Sequence, residues 1–301
     1  MIRATPSGLA GPLLVAVAAF LWGTDSVFRY PIADAADPTV LVFAEHVLGV
    51  AALLVWVVAL QRRRLFELTA KEWLSAVFVG AGGSAIATTI FTLSFRYVNP
   101  SVAVLLQKLQ PIVVVVVSFA VLGERPRGRF YLWAALALVA GVLLSFPDFN
   151  FDLSGGDAHS KGVLLALIAS VIWGLSTVFG KVLLVRAPAS VATFWRYLFG
   201  LATLAVMLLF PHEAVKWDVV SRRQFVWPVI YLSFAAGIIP MATYYAGLSR
   251  TRASVATFVE LLFPVSSVVL NTVILKMPLS AMQLGSGALL LFAVTMISLG
   301  V

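Results

Sequence analysis

SVAVLLQKLQPIVVVVVSFAVL at residues 101–122 and SVATFVELLFPVSSVVLNTVIL at residues 254–275 are one segment written twice, 153 positions apart. Ser-Val-Ala opens both copies, and Pro111 and Pro264 fall at the same place within them. Each copy is a run of about 20 mostly apolar residues, the length a helix needs to cross the hydrocarbon of a bilayer. The duplication extends further. FLWGTDSVFR (20–29) aligns with VIWGLSTVFG (171–180) at an offset of 151, pairing Trp22 with Trp173 and Gly23 with Gly174. At that offset Phe43 also meets Phe194, and Gly49 meets Gly200. Matches in register along most of the chain mark an internal repeat.

Composition agrees with a membrane setting. Of 301 residues, 61% are hydrophobic and 11% charged, with a mean hydropathy of +1.01. Soluble domains run at about 45–50% apolar and about 25% charged. A water-soluble enzyme or secreted domain is thereby excluded. Ten apolar spans are predicted, at 11–30, 38–60, 72–95, 99–121, 128–146, 161–184, 188–210, 225–248, 252–275 and 279–300. The first continues past Ala16 and Ala18 to Trp22, so it reads as an uncleaved helix. The runs are long and uninterrupted, which favours helices over a barrel. Five spans per half is an odd number, so the second half enters the membrane from the opposite side. The predicted fold is therefore all-α and integral to the membrane. It has ten transmembrane helices, as two inverted five-helix repeats around a central cavity, with a site at the midplane. The repeats are 1–150 and 151–301, joined by the linker PDFNFDLSGGDAHS (147–160). Most connections are short, so consecutive helices are expected to be antiparallel neighbours.

The formal charge is +8. The basic residues sit in short loops and form no stripe that could follow a phosphate backbone, which argues against a nucleic-acid partner. With the N-terminus placed in the cytoplasm, inside segments carry 12 of the 21 Lys and Arg and outside segments 7; Lys108 and Arg196 fall within spans. That bias puts both termini in the cytoplasm of a multi-pass inner (plasma) membrane protein. Cysteine is absent, so disulfides and thiol chemistry are excluded. The chain has no HExxH and no GxSxG. No catalytic residue, metal or cofactor is called for.

The repeated unit, with Trp-Gly in its first helix, Ser-Val-Ala-x(7)-Pro in its fourth and Leu122-Gly123-Glu124 at that helix's end, resembles the EamA-type repeat of the drug/metabolite transporter superfamily. The resemblance spans both halves, and within the superfamily the chain is similar to aromatic amino-acid exporters. It implies ten helices around a cavity and transport of small organic metabolites across the bilayer. The second repeat departs from the pattern, ending in Lys276-Met277. The second helix carries Glu45 where the later repeat has Arg196.

Ionisable groups inside spans are costly and are functional candidates by default. Lys108 lies near the midplane, flanked by Gln107 and Gln110, and Gln107 aligns with Glu260 across the repeat. The two charges read either as an ion pair locking the halves or as partners for a zwitterion, pairing with each other while the site is empty. Pro111 and Pro264 each free a carbonyl one turn earlier, to coordinate a ligand or only to bend the helix; they are the helix-break or gating candidates. His46 reads as a proton relay or a satisfied interior histidine. Arg196 reads as an interior group or as snorkelling to a helix end. Trp22 and Trp173 are candidate walls of an apolar ligand site, or packing residues. Tyr244 and Tyr245 lie opposite the Phe91–Thr92 region, and one of them is expected to face in. Ser254, Thr257, Glu260, Pro264, Ser267 and Asn271 form a single stripe, mostly polar and longer than packing needs. Gly80, Gly82, Gly83, Gly285 and Gly287 are read as permitting close helix contact. The expected function is export, by alternating access, of small amphiphilic metabolites, above all amino acids including aromatic ones. The alternatives are a lipophilic-cation efflux pump and an intramembrane enzyme.

Overall fold

The computed structural model describes residues 10–123, 128–145, 158–210, 222–251, 253–260 and 262–299. The described residues contain helices and no strand. Seven helical segments are long and apolar enough to cross a membrane: Ala10–Ala35, Pro38–Arg64, Ala70–Ser94, Pro100–Val121, Ala158–Leu183, Ala189–Leu208 and Arg223–Ser249. Shorter apolar helices run over Tyr131–Leu144, Leu262–Val273 and Ala281–Ala293.

Local chemistry sets where helices begin. Asp37 accepts a hydrogen bond from the Thr39 amide at 2.6 Å, with Pro38 in the first turn. Asn99 does the same for Ser101 at 2.8 Å, ahead of Pro100. Thr69 and Glu72 satisfy each other's amides in a capping box. Each cap fills amide donors that a helix start leaves open. Gly123 ends its helix at φ +73°, a left-handed conformation that only glycine adopts at little cost.

Several rods are broken mid-length. The helix of residues 100–122 tightens to a 3-10 turn over Gln107–Leu109, just before Pro111. Glu260 sits in the corresponding irregular turn ahead of Pro264. Two π-helical stretches, Val79–Ile86 and Phe234–Ile238, interrupt the rods 70–94 and 223–249. Such stretches recur at functional sites.

Packing differs from the expectation of consecutive antiparallel neighbours. The main partnerships join distant parts of the chain: Ala10–Gly23 with Ile239–Ser249, Pro38–Gln61 with Ala189–Leu208, Ala87–Ser94 with Ala158–Leu183, and Phe130–Ser145 with Ala281–Leu299. Short loops constrain where the next helix starts, and small residues then decide which helix it meets. A side chain at Gly247 would strike the backbone of Gly11. One at Gly80 would strike the backbone of Arg196. Small residues of this kind let helices approach within a bilayer, where apolar burial alone gives no preference.

The surface is inside-out relative to a soluble protein. Val55 is 72% exposed and Trp227 75%, while Arg29, Glu45, Lys108, Arg196 and Glu260 are buried. Lipid suits the first set, and only an internal polar site suits the second.

Candidate functional site

The buried ionic groups converge on one cavity of roughly 1000 Å³, its mouth included. Trp22, His46, Gln107, Lys108, Trp173, Tyr244 and Glu260 all line it. Pro111 and Pro264 do not; they lie just beyond the lining residues Gln107–Gln110 and Glu260. The carbonyl of Gln107, one turn before Pro111, accepts from the Ser170 hydroxyl at 3.0 Å and from the Gln110 amide. It is therefore engaged within the protein, and Pro111 acts here on helix shape.

Two aromatic pairs form walls. Trp22 packs on Tyr244 with ring centroids 5.2 Å apart. Trp173 meets Phe91 edge to face at 5.0 Å, and its indole N–H donates to the Gly83 carbonyl at 2.8 Å. The donor lies against a π-helical turn, and the bond fixes the ring plane. Each pair joins a residue before position 150 to one after it. Tyr244 and Tyr245 both line the cavity, where one was expected to face in.

Apart from Arg196, the charges fall into two groups. Asp25, Arg29 and Glu45 form a closed network. The Arg29 guanidinium donates to both Asp25 oxygens at 2.6 and 2.7 Å, to both Glu45 oxygens at 2.9 and 3.1 Å, and to Thr92 at 3.2 Å. Two bidentate carboxylates on one guanidinium satisfy its fork geometry. Asp25 and Arg29 are one turn apart on a helix, a spacing visible in sequence; the third member, Glu45, was not.

The second group is open. Lys108 is 3% exposed, and its Nζ stands 4.6 Å over the Phe263 ring centroid. It attracts Glu260 electrostatically, yet among the described residues no carboxylate lies within 4.0 Å of it. The expected resting Lys108–Glu260 ion pair is therefore not formed; the ammonium rests on an aromatic face instead. Glu260 Oε1, Gln107 Oε1 and the Tyr244 hydroxyl are buried and make no well-formed hydrogen bond among the described residues, although the Tyr244 hydroxyl lies close to the Glu260 carboxyl and to Thr177. Unmade hydrogen bonds of this kind cost about 1–3 kcal/mol each. A polar ligand would satisfy them.

His46 is fully engaged. Its Nδ1 lies 2.8 Å from the Val42 carbonyl, which only accepts, so Nδ1 carries the proton. Its Nε2 lies 2.8 Å from the Ser84 hydroxyl, and the ring stacks on Tyr197 at 4.8 Å. This arrangement suits a neutral imidazole holding helix to helix better than a relay. Glu45 and His46, adjacent in sequence, turn to different partners, Arg29 and Ser84, while both border the cavity.

The polar stripe divides. Ser267 bonds Ser26 at 2.9 Å, and Asn271 accepts from Ser26 at 2.7 Å while donating to Ser101 at 3.1 Å. That end of the stripe is interhelical glue, and among its described residues only Glu260 reaches the cavity. The side chains of Ser254 and Thr257 lie outside the described residues, as do the linker 147–157 and its acidic residues. Among the described residues no cluster of three His, Asp or Glu gathers that would hold a metal ion. Arg196, read as an interior or a snorkelling group, and Ser176, on the helix face of Trp173, line the cavity; Tyr197, Met241 and Phe263 also line it and were not singled out for it by the sequence.

Comparison with known proteins supplies the family. The EamA-like transporter family matches residues 9–146 and again 160–299. The chain is 30% identical over 300 residues to the riboflavin transporter ImpX of Fusobacterium nucleatum, covering 96% of this chain and 98% of that protein. It is 24% identical to the uncharacterised transporter YwfM of Bacillus subtilis, over 95% and 93% of the two chains. With the inner membrane transporter YhbE of Escherichia coli it shares 26% over 67% of this chain and 61% of that one. A solved crystal structure aligns over 95% of each chain with a TM-score of 0.69 at 20% identity, a likeness of fold. An apolar helical bundle closed around a polar, aromatic-walled cavity, matched twice along its length, is thus a membrane transporter, and the chain belongs to the EamA-like transporter family.

Proposed function

We propose that the cavity carries small amphiphilic metabolites, foremost amino acids of broad type including aromatic ones, outward across the inner membrane by alternating access. The observation that carries this reading is the pair of buried opposite charges, Lys108 and Glu260, neither held in an ion pair, beside two aromatic walls. A zwitterion brings an ammonium for the carboxylate and a carboxylate for a buried cation, while its side chain lies against Trp22 and Trp173. The moving parts in this reading are two inverted five-helix repeats, residues 1–150 and 151–301, with both termini in the cytoplasm. The pairing of distant helices across the chain supports it, as do the two family matches. A lipophilic-cation pump is disfavoured by Lys108 in the cavity wall, since a cage for cations needs net acidity.

A second reading has one observation in its favour. The relative named a riboflavin transporter is 30% identical along nearly the whole chain, and a planar heterocycle would suit the same aromatic walls and the amides of Gln107 and Gln110. Counterflow into liposomes of purified protein decides between them. Labelled phenylalanine, leucine, glutamate and riboflavin are offered in turn, with and without a pH gradient. Saturable amino-acid flux supports the first reading; riboflavin flux with no amino-acid flux replaces it with the second.

A further inference from the structure

The Asp25–Arg29–Glu45 network has a counterpart in sequence. At the offset of 151, Asp25 corresponds to Ser176, Arg29 to Gly180 and Glu45 to Arg196. Both carboxylates are lost there, and an arginine stands where the glutamate was. Gly180 leaves the central position empty, and Tyr245 fills it: a Cβ on Gly180 would sit 3.4 Å from the Tyr245 ring and hydroxyl.

The outcome is a guanidinium 6% exposed with no carboxylate within 4.0 Å among the described residues. Its Nη1 donates to the Tyr245 hydroxyl at 3.3 Å. Its Nε is buried without a partner, and so is the Ser176 hydroxyl. Both side chains crowd one spot. A side chain on Gly83 would overlap Ser176 Oγ and stand 3.4 Å from Arg196 Nη2. All three residues border the cavity. A guanidinium presents five N–H donors in a fixed fork and no acceptor. A buried charge without a countercharge is strongly unfavourable, and a planar guanidinium fits a planar carboxylate in bidentate fashion.

We propose that Arg196, with Ser176 and Tyr245, forms an oxyanion subsite that holds the carboxylate of the transported solute. Lys108 is then left to balance Glu260 and set the charge of the cavity. The inference rests on the cavity being the transport site, but not on the solute being an amino acid.

The test uses a carboxylate with an aromatic body and its uncharged amide, phenylacetate and phenylacetamide, as ligands of the purified full-length protein. Thermal stabilisation in detergent is titrated against each. Phenylacetate is expected to stabilise the wild type at concentrations at least tenfold below those phenylacetamide requires. Arg196→Gln should erase that preference, and Arg196→Lys should keep part of it. Because Arg196 makes one long hydrogen bond, Arg196→Gln should still fold, and its response to phenylacetamide reports that it has. The proposal is overturned if the wild type shows no preference for the carboxylate, or if Arg196→Gln retains it. Absent amino-acid counterflow alongside an intact phenylacetate preference would sink the amino-acid reading and leave this subsite standing.

Discussion

At the scale of single residues, the cavity separates groups that lack a partner from groups that have one, and the two kinds of substitution should behave differently. Lys108→Met removes a cation that makes no hydrogen bond, so folded yield should hold while amino-acid flux falls to background in the liposome assay. Normal flux in that variant would make Lys108 structural. Trp173→Ala removes a wall and the donor to the Gly83 carbonyl, whereas Trp173→Phe keeps the wall. Alanine should shift preference away from aromatic solutes, and phenylalanine should largely restore it, read as competition between phenylalanine and leucine. The discrimination at stake is modest, since apolar walls separate ligands by about 1–3 kcal/mol per methylene. His46→Gln belongs to the other kind. It breaks a hydrogen bond and a stacked contact, so the melting temperature should drop while the pH profile of flux between about pH 5 and 8 stays unchanged; a flattened profile would return His46 to a relay. The membrane's penalty on charge made Lys108 and Glu260 conspicuous in sequence. The same rule picked out Arg196 but left it open between an interior place and snorkelling to a helix end. What keeps it inside is the close approach of Gly80 and Gly83, a matter of helix pairing that spacing along one helix does not reveal.

At the scale of elements, helix existence was legible because twenty-residue apolar runs admit little else, but helix partners were not. Glycines show why. Gly80, Gly83, Gly285 and Gly287 look alike in an apolar run, yet a methyl on Gly80 would overlap Phe199 Cβ and the Arg196 carbonyl, while one on Gly285 meets nothing within 4 Å. The expectation of a contact role for Gly285 is corrected accordingly. Gly80→Ala should lower the yield of monodisperse protein sharply, and Gly285→Ala should leave it unchanged, as size-exclusion profiles in detergent would show. The Arg29 network gives an element-scale prediction of a different kind. It ties the Asp25–Ala35 helix to Pro38–Gln61 and to Thr92. Arg29→Leu strands the buried Glu45 and the partly buried Asp25 and should cost about 3–5 kcal/mol of stability. The triple change Asp25→Asn, Arg29→Leu, Glu45→Gln should recover much of it, because no unpaired charge is left. A triple variant as unstable as Arg29→Leu would mean that shape, rather than charge, makes the network necessary.

At the scale of the whole molecule, orientation rests on the loop charges, and the structure alters how they are counted. Arg29, reckoned as an outside charge, is buried in its network. Lys181, reckoned as inside, is buried and donates to the carbonyls of Leu248 and Thr251. Neither reports on a membrane face. One leaves each side of the comparison, and the excess on the proposed cytoplasmic face persists, with Arg62, Arg63 and Arg64 its densest cluster. The three lie in a short exposed turn that follows an apolar span, where lysine and arginine resist translocation. With five spans proposed ahead of it, the linker between the proposed repeats is expected on the opposite face. The chain has no cysteine of its own, so a single introduced thiol reports without background. Ser154→Cys should react with a membrane-impermeant maleimide in intact cells, and Arg63→Cys should react only after lysis. The reverse pattern would invert the molecule in the membrane and turn the proposed exporter's outward face into its cytoplasmic one. Labelling of both in intact cells would instead make the number of spans between them even, which the inverted-repeat arrangement does not permit.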